Sequence, residues 1–251
     1  PSKEELRGLF KKLEGTEKEA EWTAKFFSGL NYPQLKVDLE LVSQDKDRIV
    51  SNKKANVSVR EYKQNIEEEL RDYSTAKFGK FQSKEMMVGA LARLAFNHLE
   101  TGFPSKLGNP VSKWVSKLDF QNPFHNNFAQ AIEILLFHKQ AKEIIEKLLG
   151  MTLDAEIKTP SVGKETLGVG FRGIGAVEAP RGGLYHEIHL DNKGIITYAN
   201  IITPTVQNLT SIEKSAQALL EQTKDLEIKQ RERLLNMLVR AYDPCITCSV
   251  H

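Results

Sequence analysis

The chain has 251 residues, enough for one large domain or two small ones around a buried core. Its 35 Lys and Arg against 33 Asp and Glu leave a net charge of +2, spread along the chain, which supplies no basic field of the kind nucleic acid or an anionic membrane demands. No apolar run approaches the ~18 residues that cross a bilayer, and no basic–apolar–small leader opens the sequence, so neither a membrane span nor secretion is expected.

Residues 3–30 read as two helices, Glu4 to Leu13 and Glu17 to Leu30, stopped by Pro33. Leu35 to Val42 reads as a strand, because Leu35, Val37, Leu39 and Leu41 alternate with polar residues. Asp45 to Asn56 is turn-like apart from Ile49 and Val50. Ser58 with Glu61 forms a capping box and predicts a helix to about Tyr73; another is expected from about Ser83 to Leu99. Asn126 to Gly150 is the longest periodic segment, a core helix with Ala129, Ile132, Leu135, Ile145 and Leu148 inward.

The texture changes from Thr166 to Thr203, which holds seven of the sixteen glycines and many β-branched residues. Asp191-Asn-Lys-Gly194 predicts a hairpin turn between strands at Leu184 to Leu190 and Ile195 to Ile202. Helices at about Ser211 to Thr223 and Leu226 to Tyr242 follow. The expected fold is mainly α with a small inserted antiparallel β-sheet (α+β). It forms a single domain over 1–251: a helical body to about 165, a hairpin region over 166–205, and C-terminal helices with the last motif over 206–251.

Chemistry concentrates at the end, Arg240-Ala-Tyr-Asp-Pro-Cys-Ile-Thr-Cys-Ser-Val-His251, which holds both cysteines of the chain. Asp243 reads as an N-cap and Pro244 as the first residue of a helical turn, putting Cys245 and Cys248 at i and i+3 with their sulfurs on one side. Amides at a helix start favour thiolates, and two adjacent thiolates make half of a soft metal site. A bare C-x-x-C is equally half of a zinc site, a redox pair, or two buried thiols. Two cysteines build no disulfide scaffold, so a reducing, cytoplasmic compartment is expected.

The whole string is more specific. D-P-C-x-x-C-x-x-H resembles the C-terminal signature of nickel–iron hydrogenase large subunits. Glu178-Ala-Pro-Arg-Gly-Gly-Leu-Tyr-His186 is similar to that family's arginine segment, and Thr203-Pro-Thr-Val-Gln-Asn208 to the segment after it. Tyr73-Ser-Thr-Ala-Lys77, Gly89-Ala-Leu-Ala-Arg93 and Asn126-Asn-Phe-Ala-Gln130 resemble internal segments of its cytosolic, bidirectional or cofactor-linked classes, so the likeness spans roughly residues 60–251.

The resemblance implies reversible heterolytic cleavage of H2 at a Ni-Fe centre whose iron carries CO and cyanide. Carried onto this chain, Cys245 is a terminal nickel ligand and the first proton acceptor, and Cys248 is a bridging ligand. Arg181 lies over the open site, with Pro180 setting its segment and Asp243 as its ion partner. Thr205 hydrogen-bonds a cyanide and Pro204 lines its pocket. His251 binds magnesium together with the carbonyl of Ile201. Arg181 is the rival base, but a guanidinium loses its proton at high cost. The family's other two cysteines come from an N-terminal C-x-x-C that residues 1–251 do not contain. A start at Pro1 favours an upstream region outside this sequence as their source, with a separate chain as the alternative, and an end at His251 reads as a tail trimmed by a maturation endopeptidase. The implied partners are a small subunit carrying the iron–sulfur clusters and further electron-transfer subunits.

Other readings stand beside this one. The quinone-site subunit of respiratory complex I shares the ancestry but lacks the cysteines, and a zinc-binding structural module would be indifferent to Arg181. Gly168-Val-Gly170-Phe-Arg-Gly173 fits G-x-G-x-x-G, but a hairpin is expected after it instead of a helix, so a dinucleotide site is rejected. His186 and His189 lie on opposite faces of one strand and are given no chemistry.

Overall fold

The computed structural model describes residues 2–100, 111–152 and 170–250, with the backbone alone for 97–100. The chain opens with one helix, α1 (Lys3–Ser28), started by a capping box in which Ser2 and Glu5 exchange bonds. The expected break at Gly15 does not occur. Gly15 faces open space, and packing of α1 against the long helix over 126–150 outweighs the roughly 1 kcal/mol that a mid-helix glycine costs.

The strand expected at 35–42 lies later, as β1 (Glu40–Asp45). The alternation was nonetheless sound, since Leu35, Val37, Leu39 and Leu41 are all buried. The turn-like stretch after it holds β2 (Arg48–Ser51), built on Ile49 and Val50, and leads to β3 (Asn56–Ser58). With β6 (Met86–Met87) these strands form a sheet ordered β3-β2-β1-β6, in which only β1 and β6 run parallel.

Ser58 and Glu61 do form the expected capping box, but the helix ends almost at once. A 3-10 turn (Val59–Glu61) and α2 (Tyr62–Asn65) give way to strand β4 (Ile66–Arg71). The Glu-rich run favours helix locally, yet β5 (Ser74–Phe81) pairs with it antiparallel, Ile66 opposite Phe81. The helix expected from Ser83 starts later, as α3 (Ala90–Glu100), because Met86 and Met87 pair with β1 and Gly89 turns at φ +107°.

A short helix α4 (Val111–Val115) precedes α5 (Asn126–Gly150), which matches its expected span. Strands β7 (Phe171–Ala179), β8 (Gly182–Leu190) and β9 (Ile196–Ile202) form an antiparallel sheet, with the expected turn at Asp191–Gly194 closing the second hairpin. Gly168 lies outside the described residues, and Gly173 is inside β7, so no helix follows the glycine run. Helix α6 (Pro204–Gln222) starts seven residues earlier than expected, and α7 (Ile228–Tyr242) follows. No described helix is long and apolar enough to cross a membrane. The fold is mainly helical with small, mostly antiparallel sheets, as expected, although strands also enter the first hundred residues.

Two apolar clusters organise it. One joins α1, α3, α5, α6 and α7 through residues such as Ala24, Leu91, Ile132 and Leu238. The other joins the sheets through Val42, Ile49, Tyr62, Phe81, Tyr185 and Val206. Helix α6 contributes to both, and its first turn is where the last residues of the chain return.

Candidate metal centre

Three segments far apart in sequence meet here. The first is the tip of the β7–β8 hairpin, a two-residue turn of Pro180 and Arg181 between paired Ala179 and Gly182. Gly182 adopts φ +133°, where a side chain is strained, and an added Cβ would also strike the Val88 side chain. Gly89 lies against the same turn: its Cβ would come 3.2 Å from the Arg181 carbonyl oxygen. Glycine is required at both positions by this close approach of two chains.

The second segment is the start of α6. Thr203 takes the extended N-cap conformation without a side-chain cap, and Pro204, half-buried, occupies the first turn with its fixed φ. Thr205 is 3% exposed. Gln207 donates from Nε2 to the Gly183 carbonyl at 2.6 Å, tying α6 to the hairpin.

The third segment is the C-terminal turn, where the structure corrects the sequence reading. Asp243 is not the N-cap of the cysteine turn. It closes α7 in the left-handed conformation (φ 49°, ψ 53°), with its N–H donating to the Arg240 carbonyl. This is the common helix stop, in which Asp tolerates positive φ better than most side chains. The chain then turns through Pro244, and a 3-10 turn (Ile246–Ser249) carries Cys248, whose N–H donates to the Cys245 carbonyl at 3.0 Å.

The cysteines converge as expected: their Cα atoms are 5.4 Å apart and their sulfurs are joined as a disulfide. Cys245 is half-buried and Cys248 exposed. Its neighbours are also expected site residues. Thr205 Oγ1 accepts the Cys245 N–H at 3.1 Å. Arg181 Nε donates to the Asp243 carbonyl at 2.8 Å and lies 2.7 Å from Asp243 Oδ2. Hydrogen bonds make two pairs, Arg181 with Asp243 and Thr205 with Cys245, which the chain brings together because Asp243 and Cys245 are two residues apart, and Cys248 is held by the turn. Ile201 lies on β9, 39% exposed, and His251 falls outside the described residues.

Behind the hairpin is a cluster that the sequence reading gave no role. Arg93 of α3 is 8% exposed and uses all five guanidinium donors. Two go to the Glu133 carboxylate of α5 at 2.7 and 2.6 Å, and one to Glu178 at 2.7 Å. The other two reach the Ala179 and Pro180 carbonyls at 2.8 and 2.6 Å. Burial pushes the Glu178 carboxyl above its ordinary range, with the Arg93 charge opposing. The usable sequence signal was an arginine inside the apolar run Val88 to Ala95, where only a fully partnered charge is tolerated.

A metal fits this donor set in part. Once reduced, the two cysteines could supply two thiolates to a soft metal. Beside Thr205, the buried Thr203 Oγ1 and Gln207 Oε1 have no hydrogen-bond partner among the described residues. No group of three or more His, Cys, Asp or Glu able to hold a metal occurs among the described residues.

A family model described as nickel-dependent hydrogenase matches residues 38–251. Sulfhydrogenase 1 subunit alpha of Pyrococcus furiosus is 34% identical over 192 residues, 76% of this chain and 42% of that protein. The NAD-reducing hydrogenase HoxS subunit beta of Cupriavidus necator is 35% identical over 133 residues, 51% of this chain and 26% of that protein. Among solved structures, an NAD+-reducing [NiFe]-hydrogenase in its H2-reduced state superposes with a TM-score of 0.65 at 22% identity, covering all of this chain and 60% of the other. A [NiFeSe] hydrogenase variant from Desulfovibrio vulgaris Hildenborough gives 0.69 at 16% identity, covering 62% of that chain. The chain thus spans less than half the length of the curated relatives quoted and under two thirds of the solved ones.

Proposed function

Since the chain belongs to the nickel-dependent hydrogenase family, we propose that it provides the C-terminal half of a Ni-Fe centre in a hydrogenase large subunit, which cleaves H2 heterolytically and reversibly. The observation that carries this is the convergence of two bonded pairs, Arg181 with Asp243 and Thr205 with Cys245, beside a second cysteine. When bound, such a centre would supply the redox chemistry for splitting H2. The chain's own residues supply the rest.

In their reduced form, Cys245 and Cys248 would be the residues of this chain that hold the Ni-Fe centre. Their two sulfurs make half of the four-thiolate set, and the other two lie outside residues 1–251. The Cys245 sulfur takes the proton, and the more weakly acidic Arg181 guanidinium keeps its own. Arg181 is held by Asp243, which takes its Nε, so the terminal nitrogens of the fork would be the ones to meet a bound group. Thr205 accepts the Cys245 N–H, and its hydroxyl proton would be the donor to a cyanide of the centre. Pro180 and Pro204 fix the two backbone turns beside it. His251 and the Ile201 carbonyl would serve a magnesium ion.

The electrons leave through a small subunit carrying iron–sulfur clusters, since both cysteines here are committed to nickel. Further electron-transfer subunits, a maturation endopeptidase and a cytoplasmic location complete the proposal. Infrared spectroscopy of the assembled complex, purified anaerobically, tests it. Iron-bound CO and cyanide stretches are expected; a matured complex without them, or with zinc in place of nickel, overturns the reading.

A further inference from the structure

We propose that Arg93 is a positioning residue for Arg181, fixing the backbone of the Pro180–Arg181 turn relative to the cysteine turn. This deepens the site reading above and rests on it for its consequence in catalysis, though not for its geometry.

A buried arginine needs an acceptor for every donor. Arg93 gives two of its five donors to the backbone carbonyls of Ala179 and Pro180, the two residues that precede Arg181. The remaining donors are anchored on two different elements, Glu133 of α5 and Glu178 of β7. Glu178 is itself held from its other oxygen by the Gln44 N–H of β1 at 2.8 Å. The planar fork therefore ties the hairpin tip to a helix and to the neighbouring sheet at once.

The turn is also closely packed by Gly89, whose backbone lies against Arg181, and by the Val88 side chain, which lies against Gly182. Held in this way, the Arg181 backbone has little freedom, while its side chain stays 44% exposed and reaches Asp243. Lysine cannot replace Arg93. Its three donors radiate from one atom and do not span two carboxylates and two carbonyls. Misplacement of a catalytic group by about 1 Å is enough to slow a reaction roughly a hundredfold.

The test is a double-mutant cycle of Arg93→Lys and Arg181→Lys in the assembled complex. It is read by hydrogen uptake, by the CO and cyanide stretches, and by amide hydrogen exchange across residues 179–185. Arg93→Lys is expected to slow uptake roughly tenfold to a hundredfold. It should also shift the stretches in the same direction as Arg181→Lys and speed exchange at the hairpin tip. The double variant should be no slower than Arg181→Lys alone.

Losses that multiply in the double variant, or tip exchange unchanged by Arg93→Lys, reduce Arg93 to a structural ion pair and overturn the proposal. If the parent complex shows neither stretches nor uptake, the hydrogenase reading has failed, and the exchange data alone then decide the positioning. Should Arg93→Lys not accumulate as folded protein, Glu133→Gln loosens the same fork and is read by the same exchange.

Discussion

Thr205 and Cys245, forty residues apart, are joined by one hydrogen bond of 3.1 Å from the cysteine N–H to the threonine hydroxyl oxygen. That bond fastens the cysteine turn to the first turn of α6. Thr205→Val removes the acceptor at constant shape and leaves the N–H unpaired, a loss of about 1 kcal/mol. Thr205→Ser retains it. The thermal midpoint of the assembled protein should fall by roughly 2–4 °C with valine and hold with serine; equal behaviour of the two would argue that the bond contributes nothing.

A separate charged hub predicts a pH response. The buried Glu187 of β8 receives Tyr62 OH at 2.9 Å, and Lys63, Arg172 and His189 nitrogens each at 2.7 Å. The hydrogen bond from Lys63, with support from His189, Tyr62 and Arg172, outweighs burial and draws its carboxyl down to about 2. A folded value below the ordinary 4.5 stabilises the fold above pH ~4.5, and this contribution is lost as pH falls from there toward 2. Glu187→Gln should therefore melt earlier than the parent at neutral pH, with the gap closing between pH ~4.5 and 2. A gap that stays constant over that range would contradict the assignment.

Gly182→Ala asks an L side chain to adopt φ +133° and to share space with Val88. The cost is about 1–3 kcal/mol, and because the strain falls beside Arg181, hydrogen uptake should drop with stability. A Val88→Ala partner change relieves the clash but not the backbone, so recovery of the thermal midpoint is expected to be partial. Full recovery would show that sterics alone, not φ, makes glycine necessary.

Cys248→Ser replaces a soft thiolate with a hard hydroxyl while keeping the turn intact. Uptake in the assembled complex should fall to background and bound nickel should drop below one equivalent. Retained uptake would remove Cys248 from the metal ligands.

The cysteine motif, the arginine hairpin and the threonine turn were all legible from sequence, because each is a contiguous string of specific residue types. Their mutual contacts were not, since Arg181–Asp243 and Thr205–Cys245 depend on how distant elements pack. Helix 126–150 was readable end to end from its periodicity. The Ser58–Glu61 box was read correctly and the helix after it was not, because pairing with β5 overrides the helical preference of Glu67 to Glu69. Asp243 was misassigned because Asp-Pro is a strong helix-start signal, whereas here the preceding helix ends on that very residue. Arg93 was passed over since its partners, Glu133, Glu178 and two carbonyls, come from elements up to 87 positions away.

Asn126 is buried at the start of α5; its Oδ1 accepts the Leu91 N–H at 3.0 Å and its Nδ2 donates to the Ala241 carbonyl at 2.7 Å. One amide thus secures the first turn of α3 and the last turn of α7, two residues before Asp243. Aspartate offers no donor when ionised, leucine neither group, and glutamine the right groups one methylene too far out. A substitution at this residue therefore loosens, from 115 positions away, the helix end from which the cysteines hang.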